Sequence, residues 1–171
     1  MRKTMINMKI NNLDVKAEDG WTVLDTCKFY GLEIPTLCHN EGLSNYGACR
    51  LCLVEIGEGT RTKLASSCTY PAQEGLVVHT DTKRVLEARK MMIELMLSTA
   101  PGSKPLQDMA AKTGVKQQRF EIRNEECVYC GLCVRMCAEQ MMAGAIGAAT
   151  QAKPGVPSAP AGPADGSRVS S

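Results

Sequence analysis

Near the start of the chain, apolar residues alternate with polar ones. Met5, Ile6, Met8 and Ile10 precede Asn11-Asn12, and Leu13 and Val15 follow it. A period of two broken by an Asn pair predicts two short strands around a turn. A short helix comes next, with both ends readable. Thr22 and Asp25 form a capping-box pattern, Gly31 is placed to end the helix, and Pro35 lies beyond. Leu51–Ile56 reads as a third strand and Leu76–Val78 as a fourth. A two-strand, helix, two-strand order suits a compact α+β sheet with one helix packed across it.

From Lys83 to Leu97 the period lengthens to that of a helix. Lys83, Glu87, Lys90 and Glu94 make a charged stripe, and Val85, Ala88, Met92, Leu95 and Met96 an apolar one. Pro101, Gly102 and Pro105 stop this helix, and a second short one spans roughly Leu106 to Lys112. After Ala149 comes QAKPGVPSAPAGPADGSRVSS, with Pro154, Pro157, Pro160 and Pro163 every third residue. That spacing matches a polyproline II turn, and the composition offers no core, so an extended, disordered tail is expected there. A partner-docking strip is the sharper reading of the same residues.

The bulk numbers narrow the function classes. Lys plus Arg total 20 against 18 Asp plus Glu, and aromatic residues make up 4%. Neither a basic field nor stacking side chains point to nucleic acid. No run of about 18 apolar residues appears, so no membrane insertion is expected. The basic opening MRKTMINMKINNLD never becomes a continuous apolar stretch, which does not fit a secretory signal. Nine cysteines in 171 residues are the outlier. An odd number in clusters suits reduced cytoplasmic thiols that bind metal better than a secreted disulfide framework.

Cys38, Cys49, Cys52 and Cys68 are separated by ten, two and fifteen residues. A [2Fe–2S] cluster takes four cysteines, two on each iron, so thiolates must converge from several directions. Cys49 and Cys52 offer two from one tight loop, Cys38 comes from the loop after the first helix, and Cys68 from a loop that closes over the site. Gly47 and Ala48 are small enough for backbone N–H groups to approach the sulfides and tune the potential. Zinc sites generally use two close pairs, and only one is present here.

The stretch PTLCHNEGLSNYGACRLCLVEI, with ASSCTYPAQEGLVVHT and VLEARK after it, resembles a known family. It is similar to the N-terminal [2Fe–2S] domain of the complex I large iron–sulfur subunit. The same domain occurs in [FeFe]-hydrogenases and in diaphorase subunits of NAD-reducing hydrogenases and formate dehydrogenases. The resemblance covers about residues 5 to 98 and implies a β-grasp ferredoxin fold. In that family the long helix runs into a segment with one His and three Cys that bind a further [4Fe–4S] cluster. LMLSTAPGSKPLQDMAAKTG contains neither residue type, so that cluster is not expected here. His39 and His79 are read as non-ligands.

NEECVYCGLCVRMCAEQMMAGAIG sets Cys127, Cys130, Cys133 and Cys137 at the C-x2-C-x2-C-x3-C spacing of bacterial [4Fe–4S] ferredoxins. Gly131 leaves room for the cluster. The fourth ligand is open, because in two-cluster ferredoxins the last cysteine serves the other cluster. Cys137 turning back to its own cluster is favoured, against a ligand from a partner chain or an iron without cysteine. Cys27, on the apolar face of the first helix, reads as a packing residue.

No nucleotide loop, catalytic triad or flavin pattern is visible, so the chain is expected to carry electrons and not to turn over a substrate itself. A plant-type cluster sits at roughly −400 mV, in the range of NAD(P)H, ferredoxin and hydrogen chemistry. The resemblance implies a subunit of a multi-subunit NAD(P)-linked oxidoreductase. Its partners would be a flavin- and NAD(P)-binding subunit and a further redox subunit. Arg50, Arg135 and the charged stripe are candidates for subunit contacts, with a solvated surface as the simpler role. A free ferredoxin shuttle is the alternative function, and a redox sensor a weaker one.

These readings divide the chain into a [2Fe–2S] β-grasp domain at 1–82 and a helical connector at 83–120. A [4Fe–4S] segment at 121–149 and a Pro/Ala/Gly-rich tail at 150–171 complete it.

Overall fold

The computed structural model describes residues 5–115, 119–123 and 127–147. The predicted proline-rich tail lies outside them. Strand β1 (Met5–Ile10) turns through Asn11 and Asn12, both at positive φ (50° and 68°), into β2 (Leu13–Glu18). Two residues in the left-handed region form the turn whose twist matches an antiparallel hairpin, and Asn tolerates that region well. The pairing runs from Met5 opposite Glu18 to Ile10 opposite Leu13.

Helix α1 (Val23–Phe29) has the expected capping box: the Thr22 hydroxyl accepts from the Asp25 N–H, and Asp25 accepts from the Thr22 N–H. Gly31 follows at φ 70°. Cys27 is buried on the inner face of α1, packed in the same core as Met8, Ile10, Val54 and Val78.

Five strands form the sheet, one more than the sequence predicts. After β3 (Leu53–Ile56) and β4 (Lys63–Ser66) comes β5 (Val77–His79), and the order across the sheet is β2-β1-β5-β3-β4. Strand β5 runs parallel to β1 and antiparallel to β3, so the sheet is mixed. The missed strand is β4, an edge strand of four residues that pairs only with β3. Its sequence KLAS has no strong strand preference, and pairing with β3 is what orders it. Between the two, Gly57 at φ 112° closes the turn. A Cβ there would stand 2.3 Å from the Arg61 carbonyl oxygen, so no other residue fits.

Helix α2 (Lys83–Thr99) starts at Thr82, whose hydroxyl accepts from the Val85 N–H. Its buried face differs from the apolar stripe read in the sequence. Val85, Arg89, Ile93, Glu94 and Ser98 are buried, while Leu95 is exposed. Glu94, placed on the charged stripe by periodicity, is held inside by Arg119, whose Nε donates to its Oε2 at 2.7 Å. Partners from distant parts of the chain make these polar positions tolerable indoors. Helix α3 (Lys104–Thr113) packs back on α2, with Pro105 in its first turn and Gly114 ending it at φ 70°. The chain then returns along α2, where the Arg123 N–H donates to the Ser98 carbonyl at 2.7 Å. A last turn of helix, α4 (Leu132–Arg135), continues into a π-helical turn at Met136–Gln140.

Candidate functional site

Cys38, Cys49, Cys52 and Cys68 are all buried, the first two packed with Ile93 of α2 and the last two with Leu24 of α1. Tight loops put them there. Gly47 (φ 67°) and Arg50 (φ 56°) bracket Cys49, and a Cβ on Gly47 would press on Thr69 at 3.1 Å. Cys52 is followed at once by β3, and Cys68 follows β4, so the β3–β4 pairing carries both sulfurs to one place.

The sulfurs form two neighbouring pairs. Cys52 Sγ and Cys68 Sγ are 3.3 Å apart, walled by Leu24 and Ile34. Cys38 Sγ accepts from the Cys49 N–H at 3.5 Å, and both residues pack with Leu51, Ile93 and Ala110. Among the described residues, no three Cys, His, Asp or Glu side chains are gathered as a single metal ion requires. Two pairs are the arrangement a two-iron rhomb takes, with two cysteines on each iron.

The electrostatics fit a group that binds thiolates. The contact between the Cys52 and Cys68 sulfurs draws the Cys52 pKa down to about 6, although burial opposes it. Cys68 is pushed far up by the same contact, then by burial and by its neighbours Cys52, Cys38 and Cys49. Cys49 is raised by burial, partly offset by backbone N–H groups of Leu51, Cys38 and Leu37. Four buried sulfurs this close cannot all ionise unless positive charge compensates them. Ser67 Oγ is buried beside them and makes no well-formed hydrogen bond, though it lies near enough to Cys52 to favour its thiolate. A buried hydroxyl left over at the sulfurs suits a site built around a further acceptor group.

The second cysteine run lies against the first site. Cys130 is half-buried and packs on the apolar cluster that contains Cys38 and Cys49. Cys127 and Cys133 are exposed, whereas Cys137 is buried. The Tyr129 N–H donates to Cys127 Sγ at 3.4 Å, with Tyr129 itself at φ 54°. Gly131 is at φ 70°, and a Cβ there would stand 3.0 Å from the Tyr46 ring.

Arg135 was expected at a subunit contact or on a solvated surface. Instead it is buried, donating from Nη1 to the Ser44 carbonyl and from Nη2 to the Cys38 carbonyl. Its guanidinium stands over the Tyr46 ring at 4.9 Å from the centroid. Glu139 accepts from the Ser44 N–H (2.7 Å) and hydroxyl (2.6 Å), and these bonds hold its pKa below the usual carboxylate value. Gln140 donates to the Gly42 carbonyl. Spacing alone could not reveal this clamp, because its partners sit more than ninety residues apart. Arg50 stays exposed and donates to Ser66 Oγ at 2.8 Å. His39 sits beside Lys28, at 3.1 Å, and His79 ends β5.

Residues 3–83 match the family described as a 2Fe-2S iron-sulfur cluster binding domain. Among curated proteins, the chain is similar to a subunit of the NADH-quinone oxidoreductase of Rhizobium meliloti, strain 1021, with 35% identity over 170 positions. That match covers 84% of this chain and 20% of the relative. It is also similar to the HndD subunit of the NADP-reducing hydrogenase of Solidesulfovibrio fructosivorans, at 32% identity, covering 78% of this chain and 28% of that one. The chain thus spans less than a third of the length of either. Among solved structures, a chain of the NAD+-reducing [NiFe]-hydrogenase in its H2-reduced state shares the fold. Its TM-score is 0.72 at 24% identity, covering 81% of this chain and 68% of that one. With four buried cysteines paired at the end of a mixed sheet, residues 3–83 belong to the 2Fe-2S iron-sulfur cluster binding domain family.

Proposed function

We propose that this chain is a non-catalytic electron-transfer module of a multi-subunit NAD(P)-linked oxidoreductase. Cys38 and Cys49 would hold one iron of a [2Fe–2S] cluster, and Cys52 and Cys68 the other. Cys127, Cys130, Cys133 and Cys137 would hold a [4Fe–4S] cluster. Such clusters supply one-electron chemistry at potentials set by burial, charge and hydrogen bonds. The chain's own part is to bury the first set of sulfurs, aim backbone N–H groups at them, and fix the second set alongside.

The observation that carries this reading is the packing of Cys130 on the apolar cluster of Cys38 and Cys49. It sets the two cysteine groups side by side, as single-electron relay between them requires. Domain limits of 1–82, 83–120, 121–149 and 150–171 go with the reading, as does a β-grasp ferredoxin topology. The partners proposed are a flavin- and NAD(P)-binding subunit and a further redox subunit. The names of the relatives, an NADH-quinone oxidoreductase subunit and an NADP-reducing hydrogenase subunit, support them. All nine cysteines are free, which favours a reducing, cytoplasmic setting. Among the described residues no helix is long and apolar enough to cross a membrane.

Iron and acid-labile sulfide, measured on anaerobically purified chain, test the proposal. About six of each per chain are expected from one [2Fe–2S] and one [4Fe–4S] cluster. Zinc in place of iron and sulfide would overturn it. About two of each would confine the proposal to the first site.

A further inference from the structure

One buried charge beside the first cysteine site has no carboxylate partner among the described residues. Arg89, in the middle of α2, is 6% exposed. Its Nε (3.1 Å) and Nη2 (2.6 Å) both donate to the carbonyl of Leu53, the residue after Cys52. Among the described residues, no carboxylate forms an ion pair with it. Burial pulls its pKa below the ordinary guanidinium value, and the groups that oppose this are Cys52 first, then Cys27 and Asp81. The Leu53 carbonyl that Arg89 grips belongs to the residue next to Cys52, which places the guanidinium at the edge of the four-cysteine site.

A buried cation is costly unless an opposite charge compensates it. A single carbonyl dipole supplies only part of that compensation. Cys27 stays a neutral thiol, because burial pushes its pKa up to about 11. The remaining source of negative charge is the four-cysteine site itself, once its sulfurs are ionised. Arginine suits such a place better than lysine, since it stays charged indoors and grips one carbonyl with two N–H groups.

We propose that Arg89 is the built-in counter-charge of the first cysteine site, a positioning residue whose fixed positive charge favours the reduced state of the group held there. This rests on the proposal that the site holds a [2Fe–2S] cluster. The sign follows from charge alone. Adding one electron makes the cluster more negative, a nearby cation stabilises that state more than the oxidised one, and the reduction potential rises.

The test uses the full chain with its clusters, purified anaerobically, and three variants: Arg89→Gln, Arg89→Met and Arg89→Lys. Iron, sulfide and the electron paramagnetic resonance signal first establish whether a [2Fe–2S] cluster is present. A redox titration followed by that signal then gives its midpoint. In the two neutral variants the equilibrium constant for reduction should fall about tenfold or more, which is about 59 mV for a one-electron couple. Arg89→Lys, which keeps an ammonium at the site, should shift the midpoint less than the neutral variants. If both neutral variants fold but lose the cluster while Arg89→Lys keeps it, the charge is required for assembly and the proposal stands. An intact cluster with an unmoved midpoint in a neutral variant overturns it. So does loss of the cluster in all three variants, which would leave Arg89 as a strut for the Leu53 carbonyl. A parent chain with no [2Fe–2S] signal would instead overturn the cluster reading itself.

Discussion

The guanidinium of Arg135 donates to the backbone carbonyl of Cys38, 97 residues earlier in the chain. Through this bond the second cysteine run grips the loop that presents the first. A second bond to the Ser44 carbonyl and the stack on Tyr46 complete the grip. Hydrogen bonds from a charged donor contribute about 1.5–3 kcal/mol each. Arg135→Ala should therefore weaken the docking of residues 131–140 by about 2–3 kcal/mol. Hydrogen exchange at the Ser44 amide, whose acceptor is Glu139, reports it. Unchanged protection there would remove Arg135 from the clamp.

Ligand assignments separate by iron count. Cys68→Ala leaves Cys52 without the sulfur 3.3 Å away and should cost only the first cluster, taking iron from about six to about four per chain. Cys137→Ala should spare the first cluster and leave about two iron atoms, if Cys137 serves its own run. Iron staying near six in Cys137→Ala would send the fourth ligand elsewhere.

Cys27 should be chemically silent in the native chain. Burial raises its pKa to about 11, so at pH 8 only on the order of one molecule in a thousand carries the thiolate. Its stabilising effect is full below the unfolded thiol pKa and fades as pH rises towards 11, because the unfolded form ionises first. Mass spectrometry after iodoacetamide at pH 8 should find Cys27 unmodified until denaturant is added. Rapid native labelling would contradict its place in the core.

Glu55 predicts an acid-sensitive joint. Its carboxylate accepts from Thr62 (2.6 Å), Thr82 (2.7 Å) and Arg84 (3.3 Å), tying β3 to the β3–β4 loop and to the start of α2. The Thr62 and Thr82 hydroxyls, ahead of Arg84, hold its pKa below the usual value. A folded pKa below the unfolded one means the unfolded chain takes up the proton first. The stability contributed is thus present above pH of about 4.3 and is lost as pH falls through the folded pKa. Urea unfolding midpoints at pH 7 and pH 3 should differ less in Glu55→Gln than in the parent. Equal differences would mean the contacts to Glu55 add nothing.

Local signals carried a good part of this protein. The Asn11-Asn12 hairpin, the Thr22–Asp25 capping box and Gly31 each act over a few residues, and the structure contains all three. The close C-x2-C spacings within both cysteine sets stood out in the sequence. The inner face of α2 was beyond such signals. Periodicity sorts residues by polarity, yet Arg89 and Glu94 are buried because Leu53 and Arg119, far away in sequence, meet them. The same holds for β4, which exists because β3 pairs with it, and for Arg135, whose partners lie in the first cysteine loop. Sequence by itself determined which cysteines are candidate ligands and where short elements begin and end. Tertiary structure alone decided which charges go inside and how the two cysteine groups face each other. The reason is that burying a charge depends on partners that only the folded chain brings together.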